Sequence, residues 1–136
     1  IMLTGFLGSG KTTLLQKLID EYADRKIGVL INEFGTVSVD SEIIDDKGVQ
    51  MTELSNGSIF CACLKDQFVD ALVKLSGSDL EYLFIEASGL ADPANMVDLL
   101  KGIEPYLAQK YDYVHSFCIV DGTSFLDMSS QIKYLW

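Results

Sequence analysis

The eight residues Gly5-Phe6-Leu7-Gly8-Ser9-Gly10-Lys11-Thr12 constrain this chain more than any other part of it. They follow a short apolar stretch, Ile1 to Thr4, and precede a helical apolar period, Leu14, Leu15, Leu18, Ile19 and Tyr22. This is the spacing G-x-x-x-x-G-K-[ST], in the strand-to-helix context that the pattern requires. Gly5, Gly8 and Gly10 open backbone conformations closed to other residues, so successive N–H groups, that of Ser9 included, can converge on phosphate oxygens at the positive end of the following helix. In such a loop Lys11 reaches the β and γ phosphates, the Thr12 hydroxyl meets Mg²⁺, and Thr13 is placed for the α phosphate. A turn that only caps a helix has no need of all these residues together, so the expected ligand is a magnesium nucleotide.

The rest of the chain alternates in the manner this loop demands. Apolar runs rich in β-branched and aromatic residues at Ile27 to Ile31, Tyr82 to Ile85 and Phe117 to Val120 read as buried parallel strands, with Val49 to Leu54 as a further short one. Between them lie helical periods, Phe68, Ala71, Leu72 and Leu75, then Met96, Val97, Leu100 and Ile103. Asp92 and Pro93 predict the start of the latter helix and Gly102 its end, while Thr36 to Lys47 reads as a polar connection. Alternating strands and helices predict an α/β fold, a doubly wound and mainly parallel sheet with helices on both faces and ligands at the carboxyl ends of the strands.

Charge and composition exclude some partners. The 136 residues carry ten Lys and Arg against twenty Asp and Glu, a net charge of −10, with no basic cluster beyond Arg25-Lys26, so nucleic acid is not expected. No apolar run reaches the roughly 20 residues of a membrane span, and no signal segment opens the chain. Three cysteines, with Cys61 and Cys63 one residue apart, make a poor disulfide framework and suit a reducing, cytoplasmic compartment. Both ends read as cut from a longer protein, because only four residues precede the first loop glycine and the chain stops on apolar Tyr134, Leu135 and Trp136.

The segment Leu3 to Leu15 resembles the opening of the CobW-type metallochaperone GTPases, relatives of the nickel-insertion GTPases of urease and hydrogenase. Further segments agree in order along residues 1–136: Asn32-Glu33-Phe34-Gly35 with Asp40 resembles the first switch, Asn56-Gly57 introduces the cysteine motif, and Glu86-Ala87-Ser88-Gly89-Leu90-Ala91-Asp92-Pro93 resembles the second switch, with Val120-Asp121 and Gln131 beyond. The resemblance implies a GTPase domain cut before its base-specificity motif and any C-terminal domain. It also implies GTP/GDP and Mg²⁺ as cofactors, a client metalloprotein as partner and zinc, cobalt or nickel as cargo, with a homodimer among the open assemblies. Glu86, at the carboxyl end of a buried strand, is expected to hold Mg²⁺ through a water, and Gly89 lets a backbone N–H approach the γ phosphate. Asp40 or Glu33 is implied near the attacking water, although a polar loop offers an Asp many other roles. Gln109-Lys110-Tyr111-Asp112 imitates a guanine-reading N-K-x-D element but precedes a strand instead of following one, and is set aside.

The cysteines depart from the family pattern. Where Gly-Cys-x-Cys-Cys is usual, this chain has Gly57-Ser58-Ile59-Phe60-Cys61-Ala62-Cys63, and Thr36 stands where a glutamate is usual. Two cysteines at i and i+2 of an extended loop project to one side and can chelate one soft divalent ion, leaving an open site, whereas buried free cysteines often only pack. Cys118, inside an apolar run, is expected in the core, and His115 is left out of the ligands. Two other functions stay open: a small-molecule kinase, which needs an arginine-bearing lid, and a metal-binding or interaction protein that no longer hydrolyses.

Overall fold

A computed structural model describes residues 1–33, 49–55, 62–87 and 93–127. The elements run β1 (Met2–Thr4), α1 (Lys11–Glu21), β2 (Ile27–Glu33), β3 (Gln50–Ser55), α2 (Ala62–Ser76), β4 (Tyr82–Glu86), a 3-10 turn Pro93–Asn95, α3 (Met96–Ile103), a second 3-10 turn Glu104–Tyr106 and β5 (Ser116–Cys118). The five strands form one sheet in the order β3-β2-β4-β1-β5, every pairing parallel. Parallel neighbours need crossovers, and α1, α2 and α3 lie in three of them, while the crossover from β2 to β3 lies outside the described residues. The chain leaves β1 toward β2 on one side and later returns past it to β5, so the strand order reverses beside the end of β1, where the glycine loop begins.

Strand alternation splits the apolar residues between two cores. Leu3, Val29, Ile31 and Phe84 face Leu15 and Ile19 of α1. Their strand neighbours Met2, Leu30 and Ile85 face Phe68, Leu72 and Leu75 of α2 and Met96 and Ile103 of α3. The doubly wound expectation holds because single-residue alternation sends each strand's side chains to both faces. At the amino edge of the sheet the turn before β2 is tied to the turn before β4: Arg25 pairs with Glu81 at 3.1 Å, Lys26 with Asp79, and Glu81 also accepts the Lys26 N–H. These partners draw the carboxyls of Asp79 and Glu81 below their ordinary values.

Four expectations change in the structure. First, α2 begins at Ala62, six residues before Phe68, because Ala62, Leu64, Lys65 and Gln67 all favour helix; Cys63 therefore lies on the first turn of a helix, not in an extended loop. Second, α3 runs through Gly102 to Ile103, whose burial outweighs the roughly 1 kcal/mol a helical glycine costs. Third, its N-cap is Asn95, the last residue of the 3-10 turn that begins at Pro93, while Asp92 lies outside the described residues. Fourth, β5 is neither buried nor core: among the described residues it pairs on one side only, Phe117 is 49% exposed, and Cys118 is an exposed free thiol. A long apolar run looks the same in sequence whether its strand is central or at the edge. The connection Thr36 to Lys47 lies outside the described residues.

Candidate nucleotide site

The glycine loop takes the shape that its glycines permit. Gly5, Gly8 and Gly10 have φ of +136°, +78° and +98°, all in the region closed to most side chains. Gly10 is the N-cap of α1 and offers no side-chain cap, so the first N–H groups of the helix are left for an anion. The loop closes on the Phe6 carbonyl, which accepts the Ser9 N–H at 3.1 Å and the Lys11 Nζ at 3.1 Å. Lys11 is only 4% exposed, its ammonium turned inward over the loop. The Ser9 Oγ is buried without a hydrogen-bond partner among the described residues, as expected of a loop built around a polar ligand.

Two halves of the chain meet at the loop's far end. The Thr12 Oγ1 donates to the Glu86 Oε1 at 2.8 Å, across 74 positions of sequence. Glu86 is completely buried, and β-pairing places it beside Leu3 on one side and Ile31 on the other. A hydroxyl and a carboxylate joined at the end of a central strand, next to a phosphate loop, are the oxygen donors a hard divalent cation requires.

A third wall comes from the segment after β5. Ile119 N donates to the Thr4 carbonyl at 2.8 Å, and the Ile119 carbonyl lies so close to Gly5 that a Cβ there would be 2.2 Å from the oxygen. Only glycine fits. Beyond it the Asp121 carboxylate accepts the Ser124 hydroxyl at 2.7 Å, and the Thr123 hydroxyl and N–H at 2.7 and 2.9 Å. Those donors hold the Asp121 pKa at about 2, below its ordinary 3.8. The native pKa is depressed, so the turn's stabilisation is complete above the ordinary value and lost as pH falls through about 2. In an acid titration followed by NMR, the Thr123 amide should keep its protection down to that region; loss already at about pH 4 would show that the carboxylate is not held this way. Between this turn and loop residues Phe6 to Ser9 lies a cleft of about 220 Å³. Sequence reading attached no role to the Asp121 turn, although Asp-x-Thr-Ser carries the signal of a side-chain-capped turn.

The remaining expected residues distribute as follows. Thr13 is exposed on the first turn of α1. Glu33 ends β2 opposite Ser55 of β3, on the same carboxyl edge as Glu86. Asp40, Gly89 and Cys61 lie outside the described residues, and the backbone of Cys63 is placed on α2 as above. Among the described residues no three His, Cys, Asp or Glu side chains gather into a metal cluster, and no helix is long and apolar enough to cross a membrane. The Gln109 to Asp112 lookalike precedes β5 at the opposite, amino edge, where Lys110 pairs with Glu104 at 2.9 Å and the Tyr111 hydroxyl donates to the Leu72 carbonyl.

Residues 1–134 match the CobW/HypB/UreG nucleotide-binding domain family. The zinc chaperone YjiA of Escherichia coli is 42% identical over 115 residues, covering 81% of this chain and 36% of that protein. The zinc chaperone CobW of Pseudomonas aeruginosa is 33% identical, covering 88% and 32%, and the zinc-regulated GTPase metalloprotein activator 1 of Saccharomyces cerevisiae is 38% identical, covering 68% and 23%. The chain thus spans about a quarter to a third of the length of these relatives. Among solved structures, the Zn(II)-bound YjiA GTPase from E. coli superposes with a TM-score of 0.61 at 31% identity, covering 96% of this chain and 42% of that one. The hydrogenase maturation factor HypB from Archaeoglobus fulgidus shares the fold, with a TM-score of 0.58 at 19% identity.

Proposed function

The chain belongs to the CobW/HypB/UreG nucleotide-binding domain family, and from that premise we propose that it binds and hydrolyses GTP and uses the cycle to deliver a divalent metal, zinc first, to a client protein. The observation that carries the nucleotide half is the Thr12–Glu86 hydrogen bond at the mouth of the glycine loop. It joins the loop hydroxyl to a buried acid at the end of a central strand, the pair that would hold Mg²⁺. When bound, that ion neutralises the β and γ phosphates. Lys11 exchanges the Phe6 carbonyl for phosphate oxygens, and the uncapped N–H groups of α1 fix the phosphates in place. Asp40 or Glu33 orients the attacking water, and Gly89 brings a backbone N–H toward the γ phosphate. The names of the relatives, zinc chaperone and zinc-regulated activator, support zinc over cobalt and nickel as cargo.

In this reading Cys61 and Cys63 hold the transferred metal in an open site completed by another ligand. Loss of the γ phosphate relaxes 33–40 and 86–92, and the metal leaves for the client. Thiolates of this kind work in a reducing compartment, so the cytoplasm is the proposed location. The kinase alternative loses its only candidate lid residue, because Arg25 is paired with Glu81 at the amino edge of the sheet, away from the loop.

The test is a titration of Zn²⁺, Co²⁺ and Ni²⁺ into the protein with Mg²⁺ and either a non-hydrolysable GTP analogue or GDP, alongside the Cys61→Ser, Cys63→Ser variant. Binding that depends on the cysteines and differs between the nucleotides supports metal delivery. Metal affinity indifferent to both changes would leave a nucleotide-binding domain without this cargo.

A further inference from the structure

The strap between α3 and β5 carries polar ties that the nucleotide site does not use. Residues 107–113 cross from the end of α3 to the start of β5, and on the way they grip α2. The Tyr111 hydroxyl donates to the Leu72 carbonyl at 2.7 Å. Ala108 N donates to the Ser76 Oγ at 3.0 Å, and that buried hydroxyl donates in turn to the Val73 carbonyl at 2.7 Å. Leu72 lies one turn before the end of α2, where its carbonyl can still accept the Ser76 N–H, and a phenol bonded to it fixes the rotation of that end of the helix relative to the strap. Burial of the Tyr111 ring raises its pKa to about 12, so it remains a donor at any physiological pH. On the other side, Lys110 pairs with Glu104 just after α3, and Tyr111 packs with Leu72, Met96 and Ile103 in one cluster. Clefts of about 300 and 260 Å³ flank the strap, so its polar ties to α2 add fixed points to the core that α2 and α3 already share.

The two helices joined in this way lead to different places. The chain enters α3 from Glu86, by way of 87–95, whereas the first turn of α2 carries Cys63. We infer that the strap, pinned through Tyr111, couples α3 to α2, so that displacement of the segment after Glu86 rotates or shifts the helix at whose start Cys63 lies. Packed helices tied at discrete points move as units, which gives a change at the γ phosphate a physical route to the cysteine helix. This inference rests on the proposed nucleotide-dependent metal site.

The experiment compares Zn²⁺ affinity with a GTP analogue and with GDP in the wild-type protein, in Tyr111→Phe and in Tyr113→Phe. Tyr111→Phe keeps the ring and loses the pin. Tyr113 packs in the same cluster but its hydroxyl bonds Ser116 at the surface and not α2, so it controls for loss of a strap phenol oxygen that does not touch the helix. Coupling between sites commonly amounts to about 5- to 150-fold in affinity. The wild type and Tyr113→Phe should share one ratio, and Tyr111→Phe should reduce it by about fivefold, the effect of one net hydrogen bond. Hydrogen exchange of α2 amides should likewise respond to the analogue in the wild type and not in Tyr111→Phe. A wild-type ratio above one that survives intact in folded Tyr111→Phe would overturn the strap while leaving the proposed function standing. A wild-type ratio of one would overturn both.

Discussion

Lys11→Ala is expected to lower the affinity for a Mg²⁺–GTP analogue by about 10²- to 10³-fold and to remove measurable hydrolysis, with little change in folding. Charge-assisted hydrogen bonds to phosphate are worth about 1.5–3 kcal/mol each, and the proposed function has Lys11 reach two phosphates. Its ammonium is buried over the loop and donates to the Phe6 carbonyl at 3.1 Å, which also keeps the Ser9 N–H when Lys11 is gone. The fold therefore loses little when the side chain is shortened. Arginine should not restore binding, because its wide planar fork does not fit a space shaped for a point charge. Calorimetric titration and single-turnover hydrolysis read the result. A loss smaller than about tenfold would mean that the loop amides hold the ligand without the lysine, and the assignment of Lys11 to the β and γ phosphates would be wrong.

Gly5→Ala should be the most destabilising single methyl in the loop. The position has φ +136°, where an L side chain costs about 1–2 kcal/mol. The added Cβ would also stand 2.2 Å from the Ile119 carbonyl and 2.8 Å from the Ser9 Oγ. The carbonyl is backbone, held by the Ile119 N–H bond to Thr4, so relief requires the strand end itself to move, at about 1–3 kcal/mol more. The sum, about 2–5 kcal/mol, corresponds to a fall in Tm of roughly 10 °C for a domain of this size. Gly8→Ala is the comparison: its φ is +78° but nothing lies within 4 Å of the added atom, so only the backbone penalty applies. Thermal melts of the two variants decide it, and equal Tm values would show that the Ile119 contact does not constrain the loop.

The nucleotide site was legible in sequence because its chemistry is local. Eight consecutive residues set the loop, and Glu86 was marked by the second-switch resemblance and by its place at the end of an apolar run, where an acid also occurs without function. What the sequence left obscure depended on neighbours far along the chain. Phe117 and Cys118 have the composition of a core strand, yet among the described residues β5 has a single strand partner, and no property of the run itself distinguishes an edge. Cys63 read as part of a loop because the cysteine motif drew attention away from the good helix formers around it. Tyr111 sat inside a false guanine motif, and its bond to Leu72 spans 39 positions that no local pattern connects.

The division of the apolar residues between two cores has an evolutionary consequence. Because Leu3 and Phe84 belong to the α1 side while Met2 and Ile85 belong to the α2 and α3 side, the sheet separates the residues that seat the phosphate loop from those that seat the cysteine helix. Substitutions that repack the second set leave the first largely undisturbed, since distant sites with no shared partners vary independently. Under the proposed function, a lineage would exchange one cargo for another by altering one side of a partition and inherit the nucleotide side intact.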